Sequence, residues 1–134
     1  MSDFHQFGPV TALPRLVARP VEELEARIQI FAKRFPVALV IPMLPAEMER
    51  PALAGILEEL RQVCYLDTLV VSLNQAGHTD YLRTQEYFAP YPHRKVIVWN
   101  EAPAVQRFLH ELDAAGLYIG EPGKGRACWL AMGA

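Results

Sequence analysis

The residues most able to do chemistry lie at Gly123-Lys124-Gly125-Arg126. Glycines allow a backbone to approach a ligand closely, and a lysine between them can meet a phosphate as a point charge. A helical pattern starts at about Arg126, and a helix N-terminus favours the same anion. The spacing is not that of a G-x-x-x-x-G-K-[ST] loop, and read alone the segment also fits a plain surface turn. Glu47 follows an apolar run in a proline-rich loop. A carboxylate at the end of a parallel strand can bind ribose hydroxyls or a base edge, although a solvated loop acid has the same signature. Ser72 and Asn74 close a second apolar run. Their short polar side chains suit hydrogen bonds to a ligand, or an Asx or Ser turn. His78 and Asp80 read as helix-start residues, Trp99 as core and Asn100 as a helix cap.

These residues need elements to position them. Val37-Ala-Leu-Val-Ile41 is apolar and rich in β-branched residues, which predicts a strand buried on both faces. Pro42 cannot donate to a ladder, so the strand is expected to end there. Pro51 opens a helix expected to run to about Val63. Leu66–Leu73 predicts a second strand, and Thr79 or Asp80 a cap for a helix ending near Phe88. Lys95–Asn100 predicts a third strand, followed by a helix over Pro103–Ala115 with Gly116 just beyond its end. A helix over Pro20–Phe35, striped with Val21, Leu24, Ile28, Phe31 and Ala32, precedes them all. Strands alternating with helices predict an α/β fold: a three-layer, Rossmann-like, mainly parallel open sheet with flanking helices and right-handed crossovers. Ligands in such sheets sit outside the carboxyl ends of the strands. That rule puts Pro42, Met43, Leu44 and Glu47 on the rim of a crevice, with Ser72 and Asn74 beside them.

Composition narrows the field. The 134 residues fit one domain, with 51% hydrophobic and 21% charged residues. A formal net charge of −2 argues against a nucleic-acid footprint. No apolar run is long enough for a transmembrane helix, and the first residues do not form a signal peptide. Cys64 and Cys128 are far apart and predict buried free thiols in a cytoplasmic protein. No cysteine–histidine spacing suggests a metal site. Residues 1–19 read as an irregular segment, and residues 20–134 as one α/β domain.

Three stretches carry a resemblance: Val-Ile-Pro-Met-Leu-Pro-Ala-Glu at 40–47, Val-Val-Ser-Leu-Asn-Gln-Ala-Gly-His-Thr-Asp at 70–80, and Gly-Lys-Gly-Arg-Ala-Cys-Trp-Leu-Ala at 123–131. In their order and spacing they resemble GT-A glycosyltransferases, in the glucosyl-3-phosphoglycerate synthase branch. The resemblance implies a GT-A-type domain that binds a UDP- or GDP-sugar. It implies that Pro42, Met43, Leu44 and Glu47 hold the nucleoside with Ser72 and Asn74, and that Gly123, Lys124 and Gly125 lie near the base or diphosphate. It also implies Mg2+ or Mn2+ in the full-length enzyme, held by a D-x-D motif.

This chain departs from the family where a D-x-G-S-x-D pattern would stand, and it contains no Asp-x-Asp. The expectation is therefore a truncated, nucleotide-sugar-binding N-terminal portion of a hexosyltransferase whose acceptor is a small glycerate derivative. On its own such a portion is expected to be inactive, and a face left uncovered would favour a homo-oligomer. Two alternatives stand beside it: a non-catalytic nucleotide-binding or oligomerisation module, and an unrelated doubly wound domain of flavodoxin type.

Overall fold

A computed structural model describes residues 20–134; the irregular segment expected over residues 1–19 lies outside them. Three parallel strands, β1 (Val37–Met43), β2 (Leu66–Leu73) and β3 (Arg94–Trp99), form one sheet in the order β1-β2-β3. Five α-helices accompany them: α1 (Val21–Ala32), α2 (Pro51–Leu60), α3 (His78–Phe88), α4 (Pro103–Ala114) and α5 (Lys124–Met132). A 3-10 turn, Pro45–Glu49, joins β1 to α2.

β2 is the central strand, and all its side chains except Asp67 are buried. Because side chains alternate across a strand, Leu69, Val71 and Leu73 share one face. They form a single core with Leu53 and Leu57 of α2, Phe88 of α3 and Met48 of the 3-10 turn. Ser72 points to the opposite face, where α5 packs across β1 and β2 with its buried Ala127 and Ala131. The result is the expected three-layer α/β arrangement, with helices on both faces of a parallel sheet.

β1 departs from expectation twice. It runs through Pro42 to Met43, with Pro42 opposite Ser72 in the register. The Met43 carbonyl accepts from the Asn74 N–H at 2.9 Å, so Met43 turns its backbone groups toward β2. Its neighbour Pro42 therefore turns its backbone nitrogen toward the open side of the sheet, where no N–H is needed. Nor is β1 buried on both faces: Ala38 and Leu39 are exposed, because β1 is an edge strand among the described residues.

Helix boundaries follow the turn chemistry. α2 ends at Leu60, short of the expected Val63. α3 starts two or three residues earlier than expected, with Gly77 as its N-cap rather than Thr79 or Asp80. The Asp80 carboxylate reaches back to accept the Gly77 N–H at 2.9 Å. Gly116, at φ +75°, follows α4 as expected. Its left-handed backbone is open to glycine without a Cβ penalty.

α1 forms as its pattern predicts, but none of its residues is buried. The stripe of Val21, Leu24, Ile28 and Phe31 stays exposed, with Phe35 stacked on Phe31. The cysteines correct another expectation: Cys64 is exposed and Cys128 half-buried, both as free thiols. Cys64 lies beyond the end of α2, where no core face exists to bury it. No helix among the described residues is long and apolar enough to cross a membrane.

Candidate functional site

The carboxyl ends of the three strands open into a cavity of about 450 Å³. Its floor is the rim of the sheet, at Ile41–Leu44, Asn74–Gln75 and Asn100–Glu101. Its walls are α2, through Ala52, Leu53 and Ile56, and the start of α5, through Gly123, Lys124, Arg126 and Leu130. The sheet ladder continues into this rim. Asn74 N–H bonds the Met43 carbonyl at 2.9 Å, and Asn100 N–H bonds the Leu73 carbonyl at 3.0 Å. Both asparagines are thus held by the strands rather than by flexible loops.

Pro42, Met43, Leu44, Glu47, Asn74, Gly123 and Lys124, all singled out by their position in the sequence, meet in this one cavity. Two others do not line it. Ser72 lies beneath the floor with no exposed surface. Its hydroxyl donates to the Ala127 carbonyl of α5 at 2.9 Å and lies 3.2 Å from Asn100 Nδ2. The last residues of β2 are covered by α5, so the side chain facing that helix cannot reach the rim. Gly125 is the second residue of α5, which begins at Lys124 rather than at Arg126, and it does not line the cavity.

Asn100 is also not the helix cap expected of it. The N-cap of α4 is Ala102. The Asn100 side chain turns inward and is buried, with Nδ2 donating to Asn74 Oδ1 and to Ser72 Oγ. Trp99 matches its expected packing role. Its indole N–H donates to the Ala76 carbonyl at 2.7 Å, and Tyr81 stacks on it with ring centroids 5.3 Å apart. His78 tilts against the same indole at 5.7 Å.

The electrostatics of the cavity are uneven. Glu47 pairs with Arg50 at 3.0 Å on the exposed 3-10 turn. Glu101 accepts the backbone N–H groups of Gln75 and Ala76 at 2.9 and 3.3 Å. Gln75 has φ +51°, the left-handed conformation that lets successive N–H groups converge on one anion. Both carboxylates therefore have partners. Lys124 and Arg126 line the same cavity with no hydrogen bond or ion pair to any described residue. They sit in the first turn of α5, whose positive end faces the same space. The cavity combines apolar walls, unpaired cations and a few fixed amides, which suits an anion joined to a flat, partly apolar group.

Glu101, Gln75 and the inward role of Asn100 are not assigned to the site from sequence, and Arg126, within the segment that is singled out, is read there only as the start of a helix. The signal for Asn100 and Glu101 was their place directly after the third apolar run, by the same rim rule that selected Glu47 and Asn74.

No family model matches the chain, and no solved structure matches it. Two curated relatives do. A glucosyl-3-phosphoglycerate synthase from Persephonella marina is 35% identical over 133 residues, covering 99% of this chain and 33% of that protein. Another from Methanococcoides burtonii is 29% identical over 113 residues, covering 84% of this chain and 28% of that protein. The chain spans about a third of the length of these relatives. The resemblance carried by the three short stretches thus extends over nearly the whole chain, which is related in sequence to the glucosyl-3-phosphoglycerate synthases across that third.

Proposed function

We propose that the cavity binds the nucleoside diphosphate of a nucleotide sugar, and that the chain supplies the donor-binding part of a glycosyltransferase passing a hexose to a glycerate derivative. One observation carries this reading: Pro42, Met43, Leu44, Glu47, Asn74, Gly123 and Lys124 converge on a single cavity whose only unpaired charges among the described residues are Lys124 and Arg126. The names of the two relatives supply the reaction class. In this reading Met43, Leu44, Leu53 and Ile56 pack the base and ribose. Glu47 accepts from hydroxyls, and the two cations with the start of α5 hold the diphosphate.

The described residues do not fit a divalent metal. No three histidine, cysteine or acidic side chains among them group around one point, and the two carboxylates of the cavity already have partners. Mg2+ or Mn2+ belongs to the proposal only for the longer enzymes. The cytoplasmic setting is likewise part of the proposal.

Calorimetric titration with UDP-glucose, GDP-mannose, UDP and ATP tests the reading. Binding of UDP or GDP compounds in preference to ATP is expected. A folded chain that binds none of them, or ATP equally well, overturns it.

A further inference from the structure

We infer that Asn100 is a positioning residue that locks the amide of Asn74, so that the ligand atom meeting Asn74 is a hydrogen-bond acceptor. This rests on reading the cavity as a nucleotide site. The polarity follows from a chain of hydrogen bonds that begins at a backbone group. The Ala127 carbonyl can only accept, and at 2.9 Å it is the nearer of the two acceptors open to the Ser72 hydroxyl, which donates its single proton there. Both ends of the Asn100 amide lie near Ser72 Oγ, Oδ1 at 3.3 Å and Nδ2 at 3.2 Å, and with its proton given to Ala127 the hydroxyl pairs with the nitrogen. The same nitrogen donates to Asn74 Oδ1, so Asn74 turns its oxygen toward Asn100.

The choice is not left to Asn74 itself. Asn100 is buried, and its backbone N–H is fixed to the Leu73 carbonyl at 3.0 Å. Its own carbonyl is held by Gln106 Nε2 at 2.7 Å. Asn74 is half-buried and lines the cavity. With its oxygen turned toward Asn100, its NH2 group is what it offers a ligand, and that group has no partner among the described residues. Unpaired cations and an amide donor together select oxygen atoms: a phosphate oxygen or a carbonyl of the base. A ligand presenting a donor there would leave two N–H groups face to face, which a buried site rejects strongly.

Two measurements test this. Side-chain amide hydrogen exchange by NMR on the unliganded chain should show the Asn100 NH2 protected and the Asn74 NH2 exchanging readily. The reverse pattern overturns the assignment without reference to any ligand. UDP titrations then test the role. Asn74→Ala should weaken binding about tenfold, the value of one good hydrogen bond. Asn74→Asp, which can accept from Asn100 but cannot donate, should weaken it at least as much. Asn100→Leu should weaken binding about threefold in the wild type and add almost nothing in the Asn74→Ala background, as expected of a residue acting through another.

Equal losses from Asn100→Leu in both backgrounds, or full affinity in Asn74→Asp, contradict the inference. Repeating Asn74→Ala with uridine and with inorganic diphosphate separates the two sources of oxygen, since the loss follows whichever fragment carries the acceptor. The expected exchange pattern in a chain with no affinity for UDP sustains the amide polarity and overturns the nucleotide reading alone.

Discussion

The Ser72 hydroxyl, at the centre of the sheet, donates a hydrogen bond of 2.9 Å to the Ala127 carbonyl in α5. This bond crosses 55 residues of chain. It fixes α5 against the strand ends, and so fixes Lys124, one turn earlier, at the mouth of the cavity. Removing the hydroxyl also strips an acceptor from the buried Asn100 amide. Ser72→Ala is therefore expected to cost about 1–3 kcal/mol of stability, measured by denaturant unfolding, and to weaken ligand binding although Ser72 touches no ligand.

Leu57 and Ile56 are neighbours on α2 with opposite duties. Leu57 has no exposed surface and belongs to the core, whereas Ile56 is 52% exposed on the cavity wall. Leu57→Ala should destabilise by about 2–5 kcal/mol through lost burial and the cavity left behind. Ile56→Ala should change stability by no more than about 1 kcal/mol, while weakening binding of a nucleoside more than binding of free diphosphate. Paired unfolding and titration experiments separate the two effects.

Lys124 and Arg126 carry no hydrogen bond or ion pair to described residues, so replacing them should leave stability within about 0.5 kcal/mol of wild type. Lys124→Ala should nonetheless reduce UDP affinity about tenfold at low salt. The difference from wild type should shrink as ionic strength rises and screens the interaction.

The cradle at Gln75 and Ala76 depends on a charged acceptor. Glu101→Gln keeps the size of the side chain but weakens two charge-assisted bonds to backbone N–H groups. A loss of about 1–3 kcal/mol is expected by denaturant unfolding. Faster backbone amide exchange should accompany it at Gln75 and Ala76.

Tyr118, in the segment leading to Gly123, donates its hydroxyl to Glu121 at 3.0 Å. That bond, together with a smaller burial effect and the Glu121 charge, raises its pKa above the ordinary tyrosine value. Burial, with Tyr91 nearby, raises that of Tyr87 as well. A raised folded-state pKa contributes stability below the unfolded value of about 10 and loses it as pH rises through the folded value. An ultraviolet titration should show late-ionising phenols, with one fewer in Tyr118→Phe.

Local chemistry made some elements legible and topology hid others. β2 could be read from end to end, because a central strand buries both faces and its middle, Leu69-Val70-Val71, shows it as consecutive apolar residues. β1 has the same kind of run, yet its exposure depends on which strands flank it, and the fate of Pro42 depends on which way its nitrogen faces. Neither is a property of the segment itself. The rim rule found most of the cavity, since strand ends converge whatever their loops contain. It missed the inward turn of Asn100, because the partner that draws it in is Ser72, 28 residues away. It also misplaced Ser72, whose burial is imposed by α5. Gln75 gave no warning of its left-handed backbone, which glycine usually signals.

The central claim is that a nucleoside diphosphate occupies the cavity between the strand ends and α5. Mapping the backbone amide NMR shifts of the isotope-labelled chain during titration with UDP tests it most directly. The largest shifts should fall together at Leu44, Glu47, Asn74, Gln75, Lys124 and Arg126, and Lys124→Ala should diminish them. Saturable binding whose shifts cluster elsewhere, on α1 or along α3, would contradict the account, as would the absence of any shift at these six positions.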